Sequence, residues 1–193
     1  MKLRPLTSPI QALFTSCKQS IRRWLLAVLL IMSQPFTSPL AHADEMLEYQ
    51  VKAAFIYNFI AFTQWPGSAD SAINLCLYGE DYFGNEIDKL QNKMVGARPI
   101  KVIRVSNSNQ LPQCQAVFFS KSVHNNLADL INSLENYPIL TLADTPNAIS
   151  RGIIINMNLV NEKIVFEINL ATARKSGLDI SSKLLQLAAK VHQ

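Results

Sequence analysis

Short apolar runs alternate with helix-patterned segments along most of this chain, and that alternation most constrains the fold. The runs at residues 73–78 (INLCLY), 100–105 (IKVIRV), 116–119 (AVFF), 138–142 (PILTL) and 153–157 (IIINM) are each strand-length. They are bounded by glycine, proline or polar turns, which is how strands read in a sequence. Between them lie segments with helical spacing. Residues 83–91 place Ile87 and Leu90 on one side, and 122–135 place Leu127, Leu130, Ile131 and Leu134 on one face. Such an order implies crossover connections, a largely parallel sheet and helices on both faces, a three-layer α/β domain. Residues 164–168 alternate, with Ile164, Phe166 and Ile168 on one face, and follow 153–157 after a turn at 158–162. This pair predicts an antiparallel hairpin near the C-terminus, a common addition to parallel sheets. Ser106 to Pro112 reads as a loop, and Ser181 or Ser182 caps a last helix reaching Val191.

The first 43 residues do not fit this pattern. Lys2, Arg4, Lys18, Arg22 and Arg23 supply charge with no acid, followed by the apolar run WLLAVLLIM at 24–32 and by Ala41-His42-Ala43. A basic segment, a short apolar core and an A-x-A-like site together predict a secretory signal peptide over 1–43. Cleavage is expected between Ala43 and Asp44. The apolar run falls well short of the roughly 20 residues that span a bilayer. A twin-arginine reading of Arg22-Arg23 is weakened by the absence of any later cofactor motif. The domain is then 44–193, an exported chain. Removing 1–43 also changes the charge argument. The whole chain holds 18 Lys+Arg and 14 Asp+Glu, but 5 of the bases lie in the leader, so 44–193 carries 13 bases, 14 acids and a net charge of −1. No basic stripe that would track nucleic-acid phosphates is left.

Cleavage removes Cys17 and leaves Cys76 and Cys114 in an oxidising compartment, where disulfides persist. No CxxC or Cys/His spacing competes for them, so a bridge is expected; two separate buried thiols are the alternative. Catalytic patterns are missing. There is no G-x-S-x-G elbow, P-loop or G-x-G-x-x-G, and His124 and His192 have no partner at metal-ligand spacing. His124 reads as a surface or partner-facing residue. Glu80-Asp81 and Glu86/Asp88 read as solvated acids, and Ser120-Lys121-Ser122 as a helix start rather than a nucleophile and base. Asp144-Thr145 follows a strand end, where open α/β sheets bind ligands. No catalytic residue, metal or cofactor is predicted.

Residues 44–64 read as the opening helix, with Asp44 and Glu45 at its positive end. Leu47, Val51, Phe55, Phe59 and Phe62 form one stripe; Tyr49, Ala53, Ile56 and Ile60 form a second. Glu45, Glu48 and Lys52 supply the only charged side, and Trp65-Pro66-Gly67 ends the helix. A helix apolar nearly all round is covered on more than one side. Tyr57, Phe59, Phe62 and Trp65 are therefore candidates for a partner or dimer surface, with a core role as the alternative.

The stretch AAFIYNFIAFTQWP (53–66) resembles the opening helix of the YfiR family of periplasmic proteins. Further similarities follow in order: Cys76 within INLCLYGE, GARPI at 96–100, Cys114 before AVFFS, PILTLAD, Gly152 before IIINM, and the closing FEINLATARKSGLDISSKLLQLAAKV. The resemblance implies a periplasmic α/β regulator, often a dimer, that represses an inner-membrane diguanylate cyclase by binding its periplasmic sensor region. Cyclic-di-GMP and biofilm formation fall as a result. An outer-membrane lipoprotein can sequester such a repressor. The resemblance also implies the Cys76–Cys114 bridge. Some relatives carry a second cysteine pair near the glycine turn, where this chain has Ser150, Arg151 and Gly152. Two other readings share the compartment. A small-ligand-binding protein or adaptor for another receptor or kinase predicts a concave pocket at the strand carboxyl ends. An exported hydrolase would need a nucleophile and base that the sequence does not show.

Overall fold

The structure, a computed structural model, describes residues 40–67 and 71–193; for 40–45 it describes the backbone only. Cys17 and nearly all of the expected leader lie outside the described residues. The chain divides into Met1–Ala41 and His42–Gln193, and the fold below is that of the second unit. Among the described residues, no helix is long and apolar enough to cross a membrane.

An eight-stranded sheet forms the middle layer. Its strands are β2 (Ile73–Tyr78), β3 (Met94–Val95), β4 (Arg98–Val105), β5 (Ala116–Phe119), β6 (Leu140–Ala143), β7 (Ile155–Val160), β8 (Lys163–Asn169) and β10 (Lys190–His192). Their spatial order is β10-β8-β7-β6-β5-β2-β4-β3. The run from β4 through β2, β5 and β6 to β7 is parallel. Antiparallel pairs occur at β3/β4 and at the expected hairpin β7/β8. That hairpin is longer than its apolar core suggests. It closes on Asn161 and Glu162, both with positive φ, the geometry of a tight two-residue turn.

The central strands carry apolar residues on both faces, because helices cover both. One face buries Leu75, Leu77, Phe118, Leu142 and Met157 under the opening helix α1 (Leu40–Ala61), α2 (Asn85–Asp88), α4 (Leu170–Lys175) and α5 (Ser182–Leu187). The other buries Cys76, Val117, Phe119, Ala143 and Ile153 under α3 (Leu127–Ser133) and 3-10 turns. The disulfide joins Cys76 of β2 to Cys114, just before β5, with Cα atoms 6.0 Å apart.

Several expectations shift in detail. The segment after β4 is a 3-10 helix, Ser108–Gln113, begun by Asn107, whose side chain accepts from the Asn109 amide. The last helix ends at Leu187, because Ala188 turns extended and the Ala189 amide reaches Phe166 O at 2.9 Å. The chain then adds β10 parallel to β8 instead of continuing as a helix. Ser181 does cap α5, accepting from the Lys183 amide. Helix α1 stops at Ala61 because Thr63–Gln64 (β1) pairs with Asp179–Ile180 (β9) in a separate two-stranded sheet.

The buried face of α1 comprises Tyr49, Lys52, Ala53, Ile56, Phe59 and Ile60, at steps of three, one, three, three and one. This is the second apolar set joined by Phe59. Of the first stripe, Leu47 is 60% and Val51 38% exposed, so the early turns are covered on one side only. Lys52, expected on the helix's charged side, is 3% exposed. Its ion pairs explain the correction.

Candidate functional site

The chain leaves β2 for β4 on one side and then returns to β5 on the other. The strand order therefore reverses between β2 and β5, and the crevice outside the carboxyl ends there is where open α/β sheets bind ligands. Helix α1 runs from these carboxyl ends, at Tyr49, to the amino ends, where the Trp65 indole N–H donates to Gln115 O at 3.0 Å. Its first turns thus deliver Glu48, Tyr49 and Lys52 to the crevice.

A buried polar cluster forms there. The Lys52 ammonium lies 2.6 Å from Asp144 Oδ2 and also pairs with Glu48 one turn earlier. The Tyr49 hydroxyl donates to the same Oδ2 at 2.8 Å. The Asp144 side chain is 1% exposed, and its other oxygen, Oδ1, has no hydrogen-bond partner. Both donors meet one oxygen of the buried carboxylate, and the other is left unsatisfied. Such an atom carries a desolvation cost that needs a reason. Tyr49 also stacks on Tyr82 at 5.7 Å and meets Phe83 edge-on at 4.9 Å. The Lys121 ammonium lies 4.1 Å over the Tyr82 ring, a cation–π contact. Side chains from α1 thus occupy part of the crevice. Thr145, next in the chain, bonds through its backbone to both ends of the Asn156 amide, which explains that buried asparagine in an apolar strand.

The backbone around the crevice is tight. Gly79, at the end of β2, has φ +98°, and a Cβ there would lie 2.4 Å from Ser120 Oγ. Ser120 and Ser122 bond to each other at 2.7 Å, and Ser122 also accepts from the Glu80 amide. Their hydroxyls hold this turn together. Asp81 and Asp88 clamp Arg104 at 2.7 Å each and hold its guanidinium well above the usual pKa, so these acids are not simply solvated. The Arg151 guanidinium lies 3.0 Å from both ring nitrogens of His124 and donates to the His124 carbonyl oxygen, so the half-buried imidazole is held against the glycine turn.

The four aromatic candidates of α1 and its exit have different surroundings. Phe59 is wholly buried against Phe55 and Phe166, at 5.8 and 4.9 Å. Phe62 is half-buried at the core's edge. Tyr57 is half-buried, donates to Met94 O at 3.1 Å and carries the Lys93 ammonium over its ring at 4.8 Å. Trp65 is 9% exposed, with the Arg98 guanidinium 5.5 Å over its ring. Tyr57 and Trp65 therefore both face the β3–β4 hairpin, a grouping that sequence spacing did not show. Lys52 was legible only as one of the helix's charged residues. The Glu48/Lys52 spacing of four and Asp144 after an apolar strand were the available signals.

The YfiR/HmsC-like family model matches residues 49–189, from Tyr49 of the buried cluster to Ala189, just before the last strand. The chain belongs to the YfiR/HmsC-like family. YfiR-like proteins are periplasmic regulators of cyclic-di-GMP signalling, and membership supports that general class for this chain. Among solved structures, it is similar to an ABC domain from Streptococcus pneumonia, described in complex with L-Trp, at 10% identity and a TM-score of 0.50. The match covers 74% of this chain and 60% of that one, and it shows the fold alone. A conserved domain protein from Vibrio cholerae matches at 8% identity and a TM-score of 0.49, over the same shares of both chains.

Proposed function

We propose that this YfiR-like chain is a periplasmic repressor that binds the periplasmic sensor region of an inner-membrane diguanylate cyclase. Binding lowers cyclic-di-GMP and biofilm formation. The carrying observation is the family match over 49–189, which runs from within α1 to just before β10. A protein without catalytic groups signals by differential affinity for two states of its partner, so repression requires tighter binding to the inactive sensor. Export by a leader cleaved between Ala43 and Asp44 places the domain on the sensor's side of the membrane. A homodimer is the expected working form, and an outer-membrane lipoprotein is the expected competitor for it.

The proposed contact surface centres on the half-buried Tyr57 and Phe62 and on the edge of Trp65, since aromatic residues of this kind are enriched in interface hot spots. Phe59 supports that surface from beneath. Co-purification from the periplasm tests the reading. Tyr57→Ser is expected to keep the melting temperature near wild type and to lose the captured cyclase. Unfolding of Tyr57→Ser would mark the ring as core. A folded variant that still captures the cyclase would remove Tyr57 from the surface.

A further inference from the structure

Helix α1 turns an uncharged face to solvent. Its exposed positions include Leu47, Val51, Ala54, Asn58 and Ala61, at steps of four, three, four and three. Lys52 is the last charged residue of the helix and is buried, so the exposed positions beyond Glu48 hold no charge. The solvent side of a helix on a globular domain is ordinarily its charged side. Steps of four and three repeat every 3.5 residues on average, the spacing that keeps one seam against a neighbouring helix. From Leu47 to Ala61 the seam is about 21 Å long at 1.5 Å per residue.

Exposed apolar side chains lie beside this seam. Phe55, half-buried, packs on Phe166 at 5.7 Å. The Ala189 amide bonds Phe166 O, and Leu187, two residues earlier, is 70% exposed. Leu159, 53% exposed, pairs with Ile164 on the sheet face that holds Phe166. These side chains widen the seam on its β8 side, toward the about 800 Å² per partner that a specific dimer buries.

The seam fits a copy of itself run antiparallel. About a two-fold axis at Ala54, Leu47 faces the partner's Ala61 and Val51 faces the partner's Asn58. Each larger side chain then meets a smaller or polar one, and Ala54 meets the partner's Ala54 at the crossing. Asn58 Nδ2 already donates to Ala54 O at 3.1 Å, so its amide is engaged within its own helix. The ends are complementary in charge. Helix α1 begins with Asp44 and Glu45 and ends beside α5, where the Ser181 amide bonds Phe62 O and Lys183 is exposed. Antiparallel pairing brings the acidic start of one helix toward the partner's Lys183. A second copy also brings no ion onto the seam, whereas an ordinary charged surface would have to be desolvated there.

We propose that this face of α1 is a homodimer seam, packed antiparallel on α1 of a second copy about a two-fold axis at Ala54. The seam gives a surface to the homodimer expected above and rests on that part of the reading. Sedimentation equilibrium of protein purified from the periplasm tests it, with a wild-type dimer expected at about 10 µM. Ala54→Lys sets an unpaired charge at the crossing, in an exposed position where lysine is a good helix former. It should raise the dimer dissociation constant roughly 100-fold and leave the melting temperature near wild type. Leu47→Glu and Ala61→Lys should each weaken the dimer, and Leu47→Glu/Ala61→Lys should restore it, because the two charges meet across the axis. Should Ala54→Lys fail to fold, this charge swap carries the comparison. A wild-type monomer at about 100 µM would overturn the proposal. So would a dimer indifferent to Ala54→Lys, or a double variant no better than the single ones. Cyclase capture is read separately. A wild-type monomer that captures the cyclase overturns the seam and leaves the repressor reading intact; loss of that capture in Ala54→Lys would give the face to the cyclase. A dimer that responds to these variants and captures no cyclase supports the seam and removes the repressor reading.

Discussion

Replacing Lys52 with methionine is the sharpest perturbation of this fold. The change keeps an unbranched apolar stem in a buried helical position and removes only the ammonium. That ammonium is one of two donors to Asp144 Oδ2; the Tyr49 hydroxyl would remain, and Oδ1 is already without a partner. The Asp144 side chain is 1% exposed and cannot turn to water in place. Glu48, at 22% exposed, can, so nearly all of the cost falls on Asp144. Breaking one side of a buried pair costs about 3–5 kcal/mol, a large part of the roughly 5–15 kcal/mol that holds a typical domain folded. At about 2–4 °C per kcal/mol for a domain of this size, the melting temperature should fall by roughly 6–20 °C. The assay is urea unfolding with the disulfide intact, followed by circular dichroism. The double variant Lys52→Met/Asp144→Leu, which removes both charges, should recover much of the loss. A single variant within about 1 kcal/mol of wild type would refute the claim that this pair is a buried, coupled unit.

Other outcomes follow from the same geometry. Reducing the Cys76–Cys114 bridge releases a loop spanning 38 residues and should lower unfolding stability by about 4 kcal/mol on the chain-entropy account, measured as a shift in urea midpoint with and without reductant. Gly79→Ala should cost roughly 1–3 kcal/mol or more, because it combines positive φ with a Cβ against Ser120 and Ser122; thermal melting measures it. Gly96→Ala, also at positive φ but with open space around it, should cost less than Gly79→Ala in the same assay. Phe59→Ala should cost about 3–5 kcal/mol, whereas Tyr57→Ser should leave the melting temperature near wild type.

Much of the architecture was legible in the sequence because strand-length apolar runs and helical spacing report burial directly. The main strands in chain order, the coverage of both faces, the hairpin and the cysteine pairing all followed. What was hidden depended on contacts far apart in the chain. Whether Leu47 or Tyr49 of α1 faces inward is decided by what the sheet offers, and Asp144, 95 residues from Tyr49, selects the tyrosine. Lys52 looked like a solvent residue because burial of a lysine depends on a carboxylate that local pattern does not reveal. Ala188 to His192 looked helical because the free edge of β8 is a tertiary feature.

The most direct test of the repressor reading is the cellular cyclic-di-GMP level after deletion of the gene, with complementation by wild type and by Tyr57→Ser. A raised level on deletion is predicted, restored by wild type but not by the folded Tyr57 variant. A wild-type level on deletion, with no diguanylate cyclase captured from the periplasm, would contradict it.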